Sequence, residues 1–305
     1  MNIMRRTVLA VADNGTVSGF FRSSSLARGL VSRFVAGETV DTALTAAHDL
    51  YLRGITTSLD LLGENVATAE AAQAAVSSYT SVLRSMRDAS LEPNISVKLT
   101  MLGLDFGADI ARDNASRILE AAREVGGFVR IDMEGSAYTA VTMQVFEELH
   151  RDWPAEVGIV IQSYLRRAEA DVRLAIELGA RVRLVKGAYA EPADIAITSR
   201  LEVDEQFARL TRLLLNEGTY PAIATHDMDL VRAAIEHTQR YRIASERFEF
   251  QMLYGVRRDQ QVKLVADGYR MRVYVPYGTE WYPYFSRRIA ERPANALFVL
   301  RQLRG

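Results

Sequence analysis

Eight short runs rich in β-branched and apolar residues recur along this chain, and segments of helical period separate them. The runs are Ile55–Leu61, Ile95–Thr100, Phe128–Met133, Val157–Gln162, Val182–Lys186, Pro221–Thr225, Phe248–Met252 and Met271–Val275. Between them, Ile118, Leu119 and Ala122 share one helical stripe. Val172, Ala175 and Ile176 share another, and Leu210, Leu213 and Leu214 a third. Gly179 and Gly218 stand where helices should stop ahead of the next strand. Parallel strands need long crossovers, so strict alternation of strand and helix predicts an α/β fold. Eight such units predict a closed (βα)8 barrel of the TIM type. A doubly wound sheet is the competitor, but its dinucleotide fingerprint, G-x-G-x-x-G, is absent.

The chain has 305 residues, so length alone suggests roughly two domains, although barrels commonly spend about 250 residues on one. Residues 1–53 precede the first run and lack strand signals. Leu26, Leu30, Phe34, Leu44 and Leu50 suggest a helical arm packed on a barrel of residues 54–305. Cysteine is absent, which excludes disulfides, thiolate metal sites and cysteine nucleophiles. Net charge is −1, so no general basic field draws in nucleic acid. Arg5 and Arg6 are followed by only six uncharged residues before Asp13, too few for the apolar region of a secretory signal. No run approaches the ~18 apolar residues of a spanning helix. The chain is expected in the cytoplasm, with peripheral membrane contact left open.

In such a barrel the site lies at the C-terminal strand ends, and residues alternate between the barrel interior and the helices. In the third run Val129, Ile131 and Met133 share the outward parity, and Arg130, Asp132 and Glu134 the inward one. In the seventh, Glu249 and Gln251 are inward. Arg130 and Glu249 read as structural ion pairs, since inward charges are costly unless paired. At the upper strand ends lie Lys98, Asp132, Gln162, Arg183, Lys186, Thr225, His226, Gln251 and Tyr274. Only Lys98, Lys186 and Lys263 are lysines among 37 cationic side chains, which draws attention to the first two. Lys98 reads either as a barrel cation satisfied by Asp132 or as a functional group. Asp227 reads equally as a helix N-cap or a site residue.

A further cluster, Tyr282 to Glu291, holds Tyr284, Arg287 and Arg288. Glu291 sits four and three residues beyond the arginines, which suits a surface ion pair. Alternatively, the paired guanidiniums clamp a carboxylate if this last helix closes over the barrel mouth. H-E-x-x-H and G-x-S-x-G are absent. Asp132, Glu134, His226 and Asp227 could supply oxygen and nitrogen ligands, but Lys98 and Arg183 nearby would repel a divalent ion. No metal is expected.

Ser96-Val-Lys-Leu-Thr100, Arg130-Ile-Asp-Met-Glu134, Arg183-Leu-Val-Lys-Gly-Ala-Tyr189, Thr225-His-Asp227, Phe250-Gln-Met-Leu-Tyr-Gly255 and Arg287-Arg288 occur in that order. Together, over residues 50–305, they resemble the proline dehydrogenase family. The resemblance implies a distorted (βα)8 barrel with non-covalent FAD. It also implies oxidation of L-proline to Δ1-pyrroline-5-carboxylate, with electrons passed to a membrane quinone. By the same motifs Lys98, Arg287 and Arg288 would bind the proline carboxylate, and Leu253, Tyr274 and Tyr284 would wall the ring. Arg183, supported by Asp132, would approach the reactive flavin nitrogen. Met133, Gln162, Lys186, Gly187, Ala188, Thr225 and His226 would line the cofactor. Bifunctional family members carry an aldehyde-oxidising domain, for which this chain lacks both the length and the cysteine. Residues 1–40 match no motif of the family.

Hydride removal beside an amine needs an oriented substrate and an electron-poor flavin, and cations such as Arg183 and Lys186 favour the reduced, anionic flavin. Two rivals fit the same residues. One is a Schiff-base aldolase or transaldolase-like barrel using Lys98 or Lys186 with Asp132. The other is a non-catalytic barrel that binds flavin or a carboxylate through its cations. Without substrate, Glu64, just past the first strand, is expected to latch Arg287, with Glu291 as the alternative partner.

Overall fold

The computed structural model of the chain describes the backbone of residues 31–290 and the side chains of residues 31–285. Eight strands run β1 Thr56–Leu61, β2 Asn94–Val97, β3 Phe128–Ile131, β4 Val157–Gln162, β5 Arg181–Val185, β6 Ala222–Ala224, β7 Glu249–Leu253 and β8 Met271–Tyr277. They pair in chain order, all parallel, and β8 closes on β1 with Thr56 opposite Arg272 and Leu61 opposite Tyr277. Each of the eight expected runs contains one strand, with ends displaced by up to three residues. The largest displacement is at β2, which stops at Val97 because Leu99–Leu102 turn into a short 3-10 helix.

The helices among the described residues are α1 Val40–Tyr51, α2 Ala69–Asp88, α3 Ala108–Val125, α4 Ser136–Asp152, α5 Ala168–Glu177, α6 Arg200–Glu217, α7 Met228–Tyr241, α8 Arg258–Ala266 and α9 Trp281–Ala290. Seven of them, α2 to α8, are the crossovers between consecutive strands. The eighth place in the ring belongs to α1, which packs on β1 and β8. Its stripe of Ala43, Ala46, Ala47 and Leu50 has the i, i+3, i+4, i+7 spacing of one helix face, and all four are buried in the barrel's own core. Leu44 is partly buried against that core, and Leu26 and Leu30 lie outside the described residues.

With α1 covering that seam, α9 is released to the barrel mouth. Trp281, Tyr282, Tyr284 and Phe285 form a separate apolar cluster with Val31, Phe34, Val35, Leu62 and Val256. The Phe34 and Phe285 rings meet tilted with centroids 6.5 Å apart, and Trp281 Nε1 donates to Glu38 at 3.1 Å. This is the distortion of the barrel: α1 stands where a crossover helix after β8 would pack, and α9, the last of the described helices, becomes a cover.

The inward parity carries charged and polar residues from floor to mouth, with Val160, Val185 and Ala224 among the apolar exceptions. At the floor Arg272 Nε donates to Glu249 at 3.0 Å, its Nη2 reaches Glu92 at 2.9 Å, and Gln251 donates to Glu249. Arg130 donates to the carbonyls of Ile159 and Arg181. Gly158 leaves it room, since a Cβ there would lie 2.6 Å from Arg130 Nη1. Glu249 is therefore an ion-pair partner as expected, but of Arg272, while Arg130 is held by backbone oxygens.

Candidate active site

The upper half of the barrel opens into a cavity of about 1340 Å³, above the ~300–1,000 Å³ usual for a single small ligand. Room therefore exists for a large cofactor and a small substrate together.

One wall is a buried charge network from five strands. Lys98, immediately after β2, donates its ammonium to Asp60 Oδ1 at 2.8 Å and lies 3.8 Å from Asp132 Oδ2. Arg183 Nη1, from β5, donates to Asp132 Oδ1 at 2.8 Å and to Ser96 Oγ at 3.0 Å. The Tyr274 hydroxyl, from β8, donates to Asp132 Oδ2 at 2.7 Å, and Arg183 stands 5.3 Å from the Tyr274 ring centroid. Burial pushes the Asp60 carboxyl above the usual carboxylate range against the pull of Lys98. Burial opposes the charge on Lys98 too, but Asp60 and Asp132 outweigh it and raise its pKa above the ordinary lysine value. Burial drives the Tyr274 phenol well up, so it stays protonated and keeps donating.

This network leaves donors over. Arg183 Nε and Nη2 are buried and without a hydrogen-bond partner, although a guanidinium buried this deeply is costly unless its donors are used. Gln162 spends its NH2 on the carbonyls of Met133 and Glu134, at 2.9 and 3.0 Å, and its Oε1 is left without a partner. These atoms sit in side chains that line the cavity, and they fit a polar heterocycle that presents both acceptors and a donor.

The opposite wall holds Lys186, bridged to Asp204 at 2.5 Å and Asp227 at 3.0 Å. Burial opposes ionisation of Asp227, yet Lys186 holds it below the usual carboxylate range. Asp227 also accepts from Asp229 N at 3.1 Å as the N-cap of α7, which is the first of its two readings, and it lines the cavity. Gly187 follows with φ +121°, and a Cβ there would come within 2.2 Å of the Tyr164 ring. That close approach lets the Lys186–Ala188 backbone form the cavity wall. Thr225 Oγ1 accepts from Asp227 N at 3.1 Å, and His226 Nε2 accepts from Leu253 N at 2.9 Å, fixing the β6 and β7 ends to each other. Leu253 and Tyr284 complete the lining from β7 and α9, and Glu64 lines it from the loop after β1.

Alternation fails at the end of β3. Parity puts Met133 toward the helices and Glu134 inward, but β3 ends at Ile131, so the pleat no longer governs either residue. Met133 lines the cavity instead. Glu134 turns aside to accept from Thr100 Oγ1 at 2.5 Å and Thr100 N at 3.2 Å, and burial raises its pKa. The proposed oxygen-rich metal set is not assembled, because Asp132, Glu134, His226 and Asp227 each serve a different partner. No cluster of three potential metal ligands occurs among the described residues. The side chains of Arg287 and Arg288 and the whole of Glu291 lie outside the described residues, as does any latch between Arg287 and Glu64.

Comparison with known proteins decides the family. The family model described as proline dehydrogenase matches residues 43–301. The chain belongs to the proline dehydrogenase family. It is 40% identical over 303 residues to the proline dehydrogenase of Deinococcus radiodurans, covering 98% of this chain and 97% of the relative. Proline dehydrogenase 1 of Bacillus subtilis subsp. natto is 38% identical over 299 residues, with 98% of each chain covered. Among solved structures, proline utilization A from Bdellovibrio bacteriovorus, inactivated by N-propargylglycine, superposes with a TM-score of 0.81 at 29% identity. That match covers 87% of this chain, which spans only 33% of the Bdellovibrio one.

Within this proline dehydrogenase family barrel, sequence reasoning passed over Asp60, Ser96 and Asp204. Asp60 carried a usable signal. It shares the parity of Thr56 and Ser58, as Asp132 does that of Arg130, and it is an acidic residue near a strand's C-terminal end. Asp204 carried none, since it is a helical residue whose approach to Lys186 depends on how α6 docks.

Proposed function

We propose that this barrel oxidises L-proline to Δ1-pyrroline-5-carboxylate, with non-covalent FAD as first acceptor and a membrane quinone as the second. L-Proline loses a hydride from the carbon beside nitrogen and a proton from nitrogen, and a C=N bond forms. When bound, the flavin supplies the two-electron acceptor for that hydride. The observation that carries the reading is the buried Arg183, a cavity-lining residue with two guanidinium nitrogens left unpartnered, beside a cavity too large for the substrate alone.

Arg183 and Gln162 would hold the flavin ring, Arg183 donating and Gln162 Oε1 accepting. Met133 and the Lys186–Gly187–Ala188 backbone would flank it, with Thr225 and His226 behind. Asp132 keeps Arg183 oriented, and Tyr274 in turn keeps Asp132 oriented. Lys98 would receive the proline carboxylate together with Arg287 and Arg288. Leu253, Tyr274 and Tyr284 would exclude water around the ring. The proline utilization A structure inactivated by N-propargylglycine supports this substrate class, because that compound carries the secondary amine and carboxylate of proline.

The Schiff-base reading requires a neutral lysine amine. Lys98 is held charged by Asp60 and Asp132, and Lys186 is bridged by Asp204 and Asp227, so both lysines are poorly placed for imine formation. Among the described residues no helix is long and apolar enough to cross a membrane. Delivery of electrons to quinone would then rest on peripheral contact at the cytoplasmic face.

The test is spectroscopic. Purified protein should carry FAD absorbance that bleaches anaerobically on adding L-proline, with no nicotinamide required, and N-propargylglycine should abolish the bleaching with time. A folded protein that cannot be loaded with FAD, or whose flavin ignores proline, overturns the reading. The second of those outcomes would favour a non-catalytic flavin-binding barrel.

A further inference from the structure

The Lys98 ammonium is held at two points, one on the side of each strand that neighbours β2. Asp60 approaches it at 2.8 Å from β1, whereas Asp132 stands at 3.8 Å from the far side. Asp60 is almost wholly inaccessible, with a side chain 1% exposed, and it lines the same cavity as Lys98. Asp132 is already engaged, one oxygen by Arg183 and the other by Tyr274. The four charges therefore sort into two pairs, Asp132 with Arg183 and Asp60 with Lys98. A lone buried ammonium would shed its proton or swing toward water, because desolvation disfavours its charged form.

We infer that Asp60 is a positioning residue for the proline carboxylate site, anchoring the Lys98 ammonium at the cavity wall as a permanent cation. This rests on the reading of Lys98 as a carboxylate-binding group. The other charged and titratable groups around the Lys98–Asp60 pair are Asp132 and Glu134 beyond β3, Tyr274 and Tyr277 on β8, and Tyr79 on α2, with Arg183 on β5 paired to Asp132. Asp60 and Asp132 favour the cation most and Tyr79 less, while Glu134 is turned to Thr100. Burial is the largest influence on Lys98 and acts against its charge. Loss of Asp60 would leave Asp132, shared with Arg183 and Tyr274, to oppose it alone.

The scarcity of lysine makes the charge state directly readable. Protein labelled with 13C at lysine Cε should give three signals, for Lys98, Lys186 and Lys263, and Lys98→Met identifies the first. In FAD-loaded wild-type protein the Lys98 signal should keep its ammonium position through pH 10.4, about the ordinary lysine midpoint. In Asp60→Asn it should titrate below that pH. Cyclopentanecarboxylate, which has the ring and carboxylate of proline but no amine to titrate, should bind Asp60→Asn about tenfold or more weakly at pH 9 by calorimetry. Asp60→Glu should restore the cation and part of the affinity.

A Lys98 signal that titrates at the ordinary midpoint in the wild type overturns the inference, and that measurement stands even if Asp60→Asn does not fold. So does an Asp60→Asn variant whose Lys98 signal and carboxylate affinity match the wild type. If Lys98 behaves as expected but cyclopentanecarboxylate fails to bind the wild type, the carboxylate-site reading fails while the Asp60 anchor holds.

Discussion

Arg183 donates to Asp132 at 2.8 Å across the barrel interior, while its Nε and Nη2 stay buried without partners in a side chain that lines the cavity. The two residues lie 51 positions apart and meet only because β3 and β5 flank β4. Arg183→Met should lower the flavin reduction potential and slow flavin reduction by L-proline by about 10²–10³-fold, since a cation placed at developing negative charge is worth that much. Asp132→Asn should have a smaller effect of the same sign, because it loosens Arg183 without removing it. Redox titration with anaerobic stopped-flow checks both. An unchanged potential and rate in Arg183→Met would make the pair purely structural.

Gly187→Ala tests the close approach of the β5 loop. The substitution combines a left-handed backbone with a Cβ 2.2 Å from the Tyr164 ring, so something must shift. The expected outcome is about 1–3 kcal/mol of lost stability and a lower flavin content per protein. Adding Tyr164→Ala should recover part of the flavin content by making space, but not the backbone strain. Thermal melts and absorbance ratios of the three variants decide it.

Arg287→Met and Arg288→Met should each raise the proline dissociation constant more than tenfold, because losing a buried charge-assisted contact costs about 2–5 kcal/mol. The support is positional: the backbone of α9 carries both residues, and Tyr284 of the same helix lines the cavity. Glu64→Ala should shift the constant less, through closure. Normal proline binding in both arginine variants would reduce the helix end to a charged surface.

The floor of the barrel gives a pH prediction. Burial would raise the Glu249 pKa, but Arg272 prevails and holds it below the ordinary carboxylate value. A depressed folded value means stability that is present above the unfolded pKa of about 4.3 and lost as pH falls through the folded one. Glu249→Gln should therefore lose less stability than wild type between pH 5 and 3 while starting lower at pH 7. The neutral deficit is expected near the low end of the ~3–5 kcal/mol for an orphaned buried charge, since Glu92 still reaches Arg272 at 2.9 Å. Urea midpoints across pH provide the measurement.

The barrel was legible because its signals are local. A run such as Val157-Gly-Ile-Val-Ile-Gln can bury both faces only as a central parallel strand, and the stripe of Ile118, Leu119 and Ala122 can bury only one side of a helix. Parity along β3 and β7 by itself separates Arg130 and Asp132 from Val129 and Ile131, and Glu249 and Gln251 from Phe250. The same rule misplaced Met133 and Glu134, because alternation is a property of the ladder and the ladder stops at Ile131.

Pairing was not legible, because charges choose partners by distance in space. Lys98 found Asp60, 38 residues away, and Tyr274 found Asp132, 142 away, through the register that sets Asp60 opposite Ser96 and closes β8 on β1. The place of α1 has the same cause. Its alanine-rich stripe announces a buried helix, but only closure of the barrel leaves a seam over β1 and β8 for it to fill. The sequence by itself determined which residues stand near each strand end and, within the ladder, which way they face, since backbone geometry and burial act within a few residues. Tertiary structure alone decided which of them touch, because those contacts exist only once eight strands have closed into one ring.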